Sequence, residues 1–219
     1  MSFLPHIRDL ITDFLFPKSN KVLELEALST GTLLETLPPA ETLKDKHSIA
    51  LFDYSHPLVK EIVWELKYGG NAVLALKLGE ILYDVVSSEL TDLALFEKWE
   101  RPVIVPVPIS DKRRFERGWN QSELLAEKFM FYDTEGRFKY LPRQLVKTRH
   151  TESQTKTSSR NERLKNLTDS MKVLNTSTLD GRCVVLLDDV TTTGSTFAEA
   201  KRALRKAGVK KILCVAVAH

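Results

Sequence analysis

Asp188 and Asp189 stand side by side at the end of an aliphatic run, and Thr191, Thr192, Thr193, Ser195 and Thr196 follow, grouped around Gly194 in the stretch VVLLDDVTTTGST. Carboxylates accept hydrogen bonds and do not donate them, so an acid pair suits the hydroxyls of a sugar diol and not a phosphate. The loop after it suits the phosphate. Hydroxyl side chains add donors without bulk, and glycine lets the backbone approach closely or take positive φ. Where such a loop enters a helix, free N–H groups and the dipole favour an anion. A phosphate cup beside a diol acceptor describes a site for a ribose 5-phosphate. A plain turn is the competing reading of a Ser/Thr/Gly loop. The company of strand, acid pair and helix argues against it. The loop lacks the GK[ST] ending of a Walker sequence and the three spaced glycines of a dinucleotide fingerprint. A phosphoacceptor aspartate of the receiver or phosphatase type is expected to precede most of its fold, and little chain follows here.

The elements that must position these residues follow from patterning. Residues 183–187 form an uninterrupted aliphatic run, expected as a strand covered on both faces. The next segment, FAEAKRALRKAG, has Phe197, Ala200, Leu204 and Ala207 on one helical face, with Lys201, Arg202, Arg205 and Lys206 elsewhere. Thr196 and Glu199 have capping-box spacing, which places the helix start at Thr196, and Gly208 marks its stop. KKILCVAVAH then offers a second strand. The right-handed crossover rule makes the two strands parallel neighbours, and ligands bind beyond the carboxyl ends of such sheets. Upstream, strands are expected at 49–54, 102–107 and 141–148, and helices at 57–66, 72–87 and 121–130, the last with Asn120 and Glu123 as start signals. Residues 3–16 read as an amphipathic helix docked on the core, with a membrane-surface helix as the alternative. Residues 17–46 are expected to be less regular, with breaks at Gly31, Pro38 and Pro39.

LLDDVTTTGST resembles the signature of type I phosphoribosyltransferases, which binds 5-phosphoribosyl-1-pyrophosphate (PRPP). Three further stretches narrow the resemblance to the ComF (competence protein) family: FDYSHPLVKEIVWELKYGGNAVLALKLGEIL, VPVPISDKRRFERGWNQSELLAEKF, and residues 154–166 with Gln154, Arg163 and Asn166. Together they cover most of residues 50–219, in the expected order. The resemblance implies an α/β, type I phosphoribosyltransferase-like fold: a central, mostly parallel sheet flanked by helices, with an N-terminal helical appendage. Residues 1–46 would be the appendage and 47–219 the phosphoribosyltransferase-like domain. It implies that Asp188 and Asp189 hold the ribose hydroxyls and sense charge on the ring. Adjacent side chains of a straight strand face opposite ways, so one of the two is expected mainly to brace the loop unless the strand is already turning. Val190, Thr191, Thr192, Thr193, Gly194, Ser195 and Thr196 would bind the 5-phosphate. Val107, Ile109 and Ser110 of PVPIS would offer backbone N–H groups to the pyrophosphate. Lys147, Arg149, Gln154, Arg160 and Arg163 would belong to a lid that closes over the site. An exposed loop, or a contact to nucleic acid, are the other readings of that basic stretch. Lys67 and Tyr68 match a family feature with no role assigned, and Trp119 is read as packing in preference to stacking.

The resemblance also sets cofactors and partners. Mg²⁺ would arrive on PRPP, since it keeps several waters and often binds through substrate phosphates. ComF proteins commonly carry a four-cysteine zinc element after an N-terminal helix of this kind. The equivalent stretch here, LFPKSNKVLELEALS, has no cysteine, and the chain's two, Cys183 and Cys214, both lie in expected strands. No structural zinc and no metal ligands are therefore expected. The expected partners are PRPP and an acceptor nucleophile of unknown kind, with single-stranded DNA as the alternative. The expected activity is pentosyl transfer, against a non-catalytic binding protein acting in DNA uptake. With 219 residues, a net charge of +3 and a pI near 8.8, the chain suits one substantial core and polyanionic ligands without demanding nucleic acid. The charged segment 3–16 lacks a signal peptide's layout and nothing reads as a membrane span, so a cytoplasmic location is the expectation.

Overall fold

The computed structural model describes residues 18–148 and 169–219. The aliphatic run expected as a doubly covered strand lies at the middle of a five-stranded sheet. Its strands are β1 (Ser48–Phe52), β2 (Val103–Pro106), β3 (Lys139–Tyr140), β6 (Cys183–Val190) and β7 (Lys211–Ala218), in the order β1-β7-β6-β2-β3. Every pairing in it is parallel. The register sets Val185 against Ile104 on one side and Leu213 on the other. β4 (Leu145–Lys147) and β5 (Met171–Val173) form a separate antiparallel pair. The strand expected at 141–148 is therefore shorter and outside the main sheet.

Alternation along β6 divides the core in two. Val185 and Leu187 face a layer made with α3 (Pro57–Trp64), α4 (Ala72–Ala94) and α6 (Gln121–Tyr132), where Ile62, Leu78, Leu82, Leu125 and Phe129 are buried. Val184 and Leu186 face α8 (Ser195–Lys206), through Phe197, Ala200 and Leu204, together with Leu145 and Met171 of the small sheet. α5 (Asp111–Arg117) and α7 (Thr176–Leu179) complete the connections. From β2 the chain moves outward to β3, whereas from β6 it moves the opposite way to β7. The reversal leaves a crevice between the carboxyl ends of β2 and β6, where ligands of open parallel sheets bind.

Three local expectations are corrected. Residues 20–36 are not irregular but form α1 (Asn20–Ala27) and α2 (Thr30–Thr36), capped by Ser19 and Ser29, whose hydroxyls accept from Val22 N and Thr32 N. Leu25, Leu33 and Leu37 are buried in the same core layer as α4. α8 begins at Ser195, after Gly194 in the left-handed region (φ 73°), and has no side-chain cap. The capping box does not form because Glu199 is drawn elsewhere: it accepts from Met171 N at 3.0 Å and binds Arg202. Lys201, expected on the polar side, is buried and pairs with Asp45. The helix expected at 3–16 lies outside the described residues. No helix among the described residues is long and apolar enough to cross a membrane.

Candidate functional site

At the β2/β6 crevice lies a cavity of about 920 Å³, lined by Val107, Pro108 and Ile109 after β2 and by Asp188, Asp189 and Val190 at the end of β6. That size falls in the ~300–1,000 Å³ range of small-molecule sites. Lys67, Tyr68, Arg113, Arg117, Lys147 and Thr196 complete its chemistry.

Both carboxylates of the acid pair reach this cavity, and the first turn of α6 holds both. Ser122 Oγ donates to Asp188 Oδ1 at 2.9 Å, and Gln121 Nε2 donates to Asp189 Oδ1 at 3.1 Å. Arg117 donates to Gln121 Oε1 at 3.1 Å, which fixes the amide so that its NH₂ faces Asp189. The helix N-terminus adds favourable positive potential to two acids that are almost fully buried. Asp188 Oδ1 also accepts from Asp189 N at 2.9 Å, a bond that curls the first carboxylate back over the strand end. Lys67 Nζ lies 2.9 Å from Asp189 Oδ2. Burial first, then the charge of Asp189, push the Asp188 carboxyl well above the ordinary carboxylate range. The pair is thus asymmetric: the lysine lies on Asp189, and Asp188 is the acid whose carboxyl is pushed up.

Asn120 links the two loops of the site. Its Oδ1 accepts from Ser122 N, as expected of the α6 cap, and its Nδ2 donates to Val107 O at 2.9 Å. The PVPIS loop and the acid pair are therefore held by one helix start. One expectation about that loop is corrected. Val107 N donates to Leu187 O at 2.8 Å, extending the sheet by one rung, so it is not open to a ligand. Ile109 lines the cavity, whereas Ser110 is buried as the cap of α5, accepting from Arg113 N.

The hydroxyl loop borders the cavity through Val190 and Thr196. Thr192 and Thr193 are exposed, while Thr191 and Ser195 are buried. Thr191 is anchored to β7 and beyond, its N–H on Ala218 O and its carbonyl 3.0 Å from His219 Nδ1. Thr193 and Ser195 pair through their hydroxyls. A Cβ at Gly194 would meet nothing within 4 Å. Lys147 also lines the cavity, with its pKa lowered by burial and by Arg113. Arg149, Gln154, Arg160 and Arg163 lie outside the described residues. Among the described residues no cluster of three or more His, Cys, Asp or Glu could hold a metal ion. Cys183 and Cys214 are free and buried, and burial pushes the Cys214 thiol up to about 12, the mark of an inert packing residue.

Sequence reasoning singled out Lys67 without a role and missed Asn120 as a loop tie, Gln121 and Ser122. Their signal was faint: two polar residues open a helix whose next turns are apolar, and KYGG follows a helix with no loop-like composition before it. Trp119 packs its ring against Gly70 and donates from Nε1 to Leu66 O at 2.9 Å, and it also lines the cavity.

A family model for the phosphoribosyl transferase domain matches residues 121–219. The DNA utilization protein YhgH of Escherichia coli (strain K12) is 30% identical over 192 residues, spanning 84% of this chain and 75% of that protein. Competence protein ComFC of Bacillus subtilis (strain 168) is 35% identical over 151 residues, spanning 69% of this chain and 55% of that one. Among solved structures, a glutamine phosphoribosylpyrophosphate amidotransferase from B. subtilis, complexed with ADP and GMP, aligns over 70% of this chain and 30% of its own, at 18% identity and a TM-score of 0.42. A domain match that begins on the helix gripping the acid pair, with relatives aligned far beyond it at these identities, leads to one assignment: the chain belongs to the ComF family of phosphoribosyltransferase-like proteins.

Proposed function

We propose that the chain binds PRPP with its Mg²⁺ in the β2/β6 cavity and transfers ribose 5-phosphate to a nucleophile, releasing pyrophosphate. The observation that carries this reading is the acid pair: Asp188 and Asp189 open into one cavity, beside a glycine turn that enters a helix N-terminus. In the proposed complex the carboxylates accept from the 2- and 3-hydroxyls. Thr192, Thr193, Gly194, Ser195 and Thr196 take the 5-phosphate through the first N–H groups of α8 and their hydroxyls. Ile109 N–H and Arg113 take the pyrophosphate. As that group leaves C1, positive charge grows on the ring, and two fixed carboxylates stabilise it without having to reorganise. Mg²⁺ enters as part of the substrate. The test is pyrophosphate release from PRPP and Mg²⁺ with a panel of bases and amines, alongside thermal melting. A higher melting temperature with Mg²⁺–PRPP supports binding, pyrophosphate release supports turnover, and an unchanged melting temperature with no pyrophosphate release overturns both.

A second reading rests on a different observation. Trp64 and Tyr68 are both more than half exposed beside the cavity, with ring centroids 5.4 Å apart, and Arg117 stacks over Tyr68 at 4.9 Å. Exposed rings flanked by cations are what single-stranded nucleic acid stacks on. The names of the relatives, a DNA utilization protein and a competence protein, accord with such a partner. On this reading the chain is a non-catalytic binding protein acting in DNA uptake. Trp64→Ala should then weaken single-stranded DNA binding, and binding should fall steeply with salt.

A further inference from the structure

Lys67 is placed with a care that packing does not require. It sits in a π-helical turn, Glu65–Gly69, which follows α3 directly. Such turns insert a residue and re-aim the side chains beyond it, often at functional sites. Here the turn sends Lys67 inward to the acid pair, three-quarters buried, and leaves Tyr68 more than half exposed at the rim. The turn is held by buried contacts. Glu65 accepts from Asn71 Nδ2 at 3.1 Å, and Trp119 donates to Leu66 O. A side chain at Gly69 would strike Glu65 Oε2 at 2.6 Å.

Asp189 does not need the lysine to stay in place. Gln121 already holds its other oxygen, and Arg117 holds Gln121. Lys67 therefore contributes charge more than position: a cation on a flexible stem that neutralises a buried acid pair. The same cavity also contains the wall made by Ile109 and Arg113. A ligand that carried both a diol and a polyanion would offer the carboxylates hydroxyl donors and the ammonium a better partner.

We infer that Lys67 is an internal cation, which sits on the acid pair until a ribose diol takes its place on Asp189 and then passes to the pyrophosphate. This rests on the PRPP reading of the cavity. It closes the acid pair to stray cations and links recognition of the two ends of the ligand: the diol releases the lysine, and the pyrophosphate keeps it.

The test uses Lys67→Met, which retains the stem and removes the charge. Ribose 5-phosphate, which has no pyrophosphate, should bind the variant about threefold or more tighter, because it no longer competes with the lysine. Mg²⁺–pyrophosphate should bind roughly tenfold or more weaker, having lost a cation. A lysine that merely braced the site would lower both affinities, and a lysine unconnected with the site would change neither; either result overturns the inference. A second arm needs no sugar phosphate. Titrated with Mn²⁺ alone and followed by electron paramagnetic resonance, ligand-free Lys67→Met should bind the ion about tenfold or more tighter than wild type, because the acids have lost their resident cation. No gain in Mn²⁺ affinity overturns the internal-cation role by itself. Failure of the PRPP reading would be seen separately, as a wild-type protein indifferent to PRPP.

Discussion

Gly194→Val and Thr191→Val place the same side chain three residues apart, and the structure assigns them opposite consequences. Gly194 has φ 73° and ψ 1°, the left-handed region, where an L-residue costs about 1–2 kcal/mol. For a chain of this size 1 kcal/mol moves the melting temperature by about 2–4 °C, so Gly194→Ala should lower it by roughly 2–8 °C, and the β-branched valine by more. Gly194→Ala adds no steric clash within the protein, since a Cβ there meets nothing within 4 Å. On the proposed reading the 5-phosphate lies in this open space. Valine would exclude the phosphate from the N–H groups of the turn. Losing one charge-assisted hydrogen bond costs about 1.5–3 kcal/mol, or roughly 10- to 150-fold in affinity. Thr191 is held to β7 by its backbone, and its side chain is buried outside the cavity lining. Valine there should change affinity by less than about twofold, within the range of a swap away from the ligand. The assay is calorimetric titration with ribose 5-phosphate well below both melting temperatures, with circular dichroism to confirm folding. Equal affinities for the two variants would refute the placement of the phosphate cup.

Gly79 of α4 packs directly on α6, and a Cβ there would lie 2.6 Å from the Lys128 carbonyl carbon. Gly79→Ala should therefore destabilise by about 1–3 kcal/mol, seen as a lower urea midpoint with an unchanged slope. Asp45 gives a pH signature. Burial works to raise its carboxyl, yet Lys201 and Ser48 hold it down to about 2, against an ordinary 3.8. Because the folded value is the lower, its stabilisation is complete above the unfolded value and is lost as pH falls through the folded one. The side chain is half exposed, so screening limits the effect to about 1 kcal/mol or less. The urea-midpoint difference between wild type and Asp45→Asn should be constant above about pH 5 and disappear towards pH 2; a difference independent of pH would contradict the pairing. Elemental analysis of protein produced with added zinc should find no stoichiometric zinc, and one zinc per chain would mean a ligand set other than cysteine.

What the sequence made legible was local. The run 183–187, the period of Phe197, Ala200 and Leu204, and the Asn120 cap are each set by a few neighbouring residues, and β6, α8 and α6 are found there. The adjacency of β6 and β7 followed from the handedness of the crossover. What failed was decided at long range. Glu199 had the spacing to cap its own helix, but Met171 N and Arg202 compete for it in the folded chain. Lys201 had a surface residue's helical position, but Asp45, from the segment before β1, covers it. Val107 was expected to present a donor because no proline occupies it, yet the sheet extends one rung further and takes its N–H. The grip on the acid pair comes from Lys67, Gln121 and Ser122, all more than sixty residues away in the chain. Periodicity carries no information about such partners. Residues 20–36 are a different case, since Ser19 and Ser29 are ordinary cap signals that the nearby glycine and prolines obscured.

The central claim is that Asp188 and Asp189 receive a ribose diol. Its most direct measurement is calorimetric titration of Mg²⁺–PRPP into wild type and into the Asp188→Asn/Asp189→Asn double variant, with matched circular dichroism spectra. Asparagine keeps the shape and the acceptor oxygen while removing the charge that strengthens each hydroxyl contact, a loss of about 1.5 kcal/mol or more and so at least roughly tenfold in affinity. The account predicts saturable binding by wild type and that loss in a folded double variant. Equal affinity in the two proteins would contradict it.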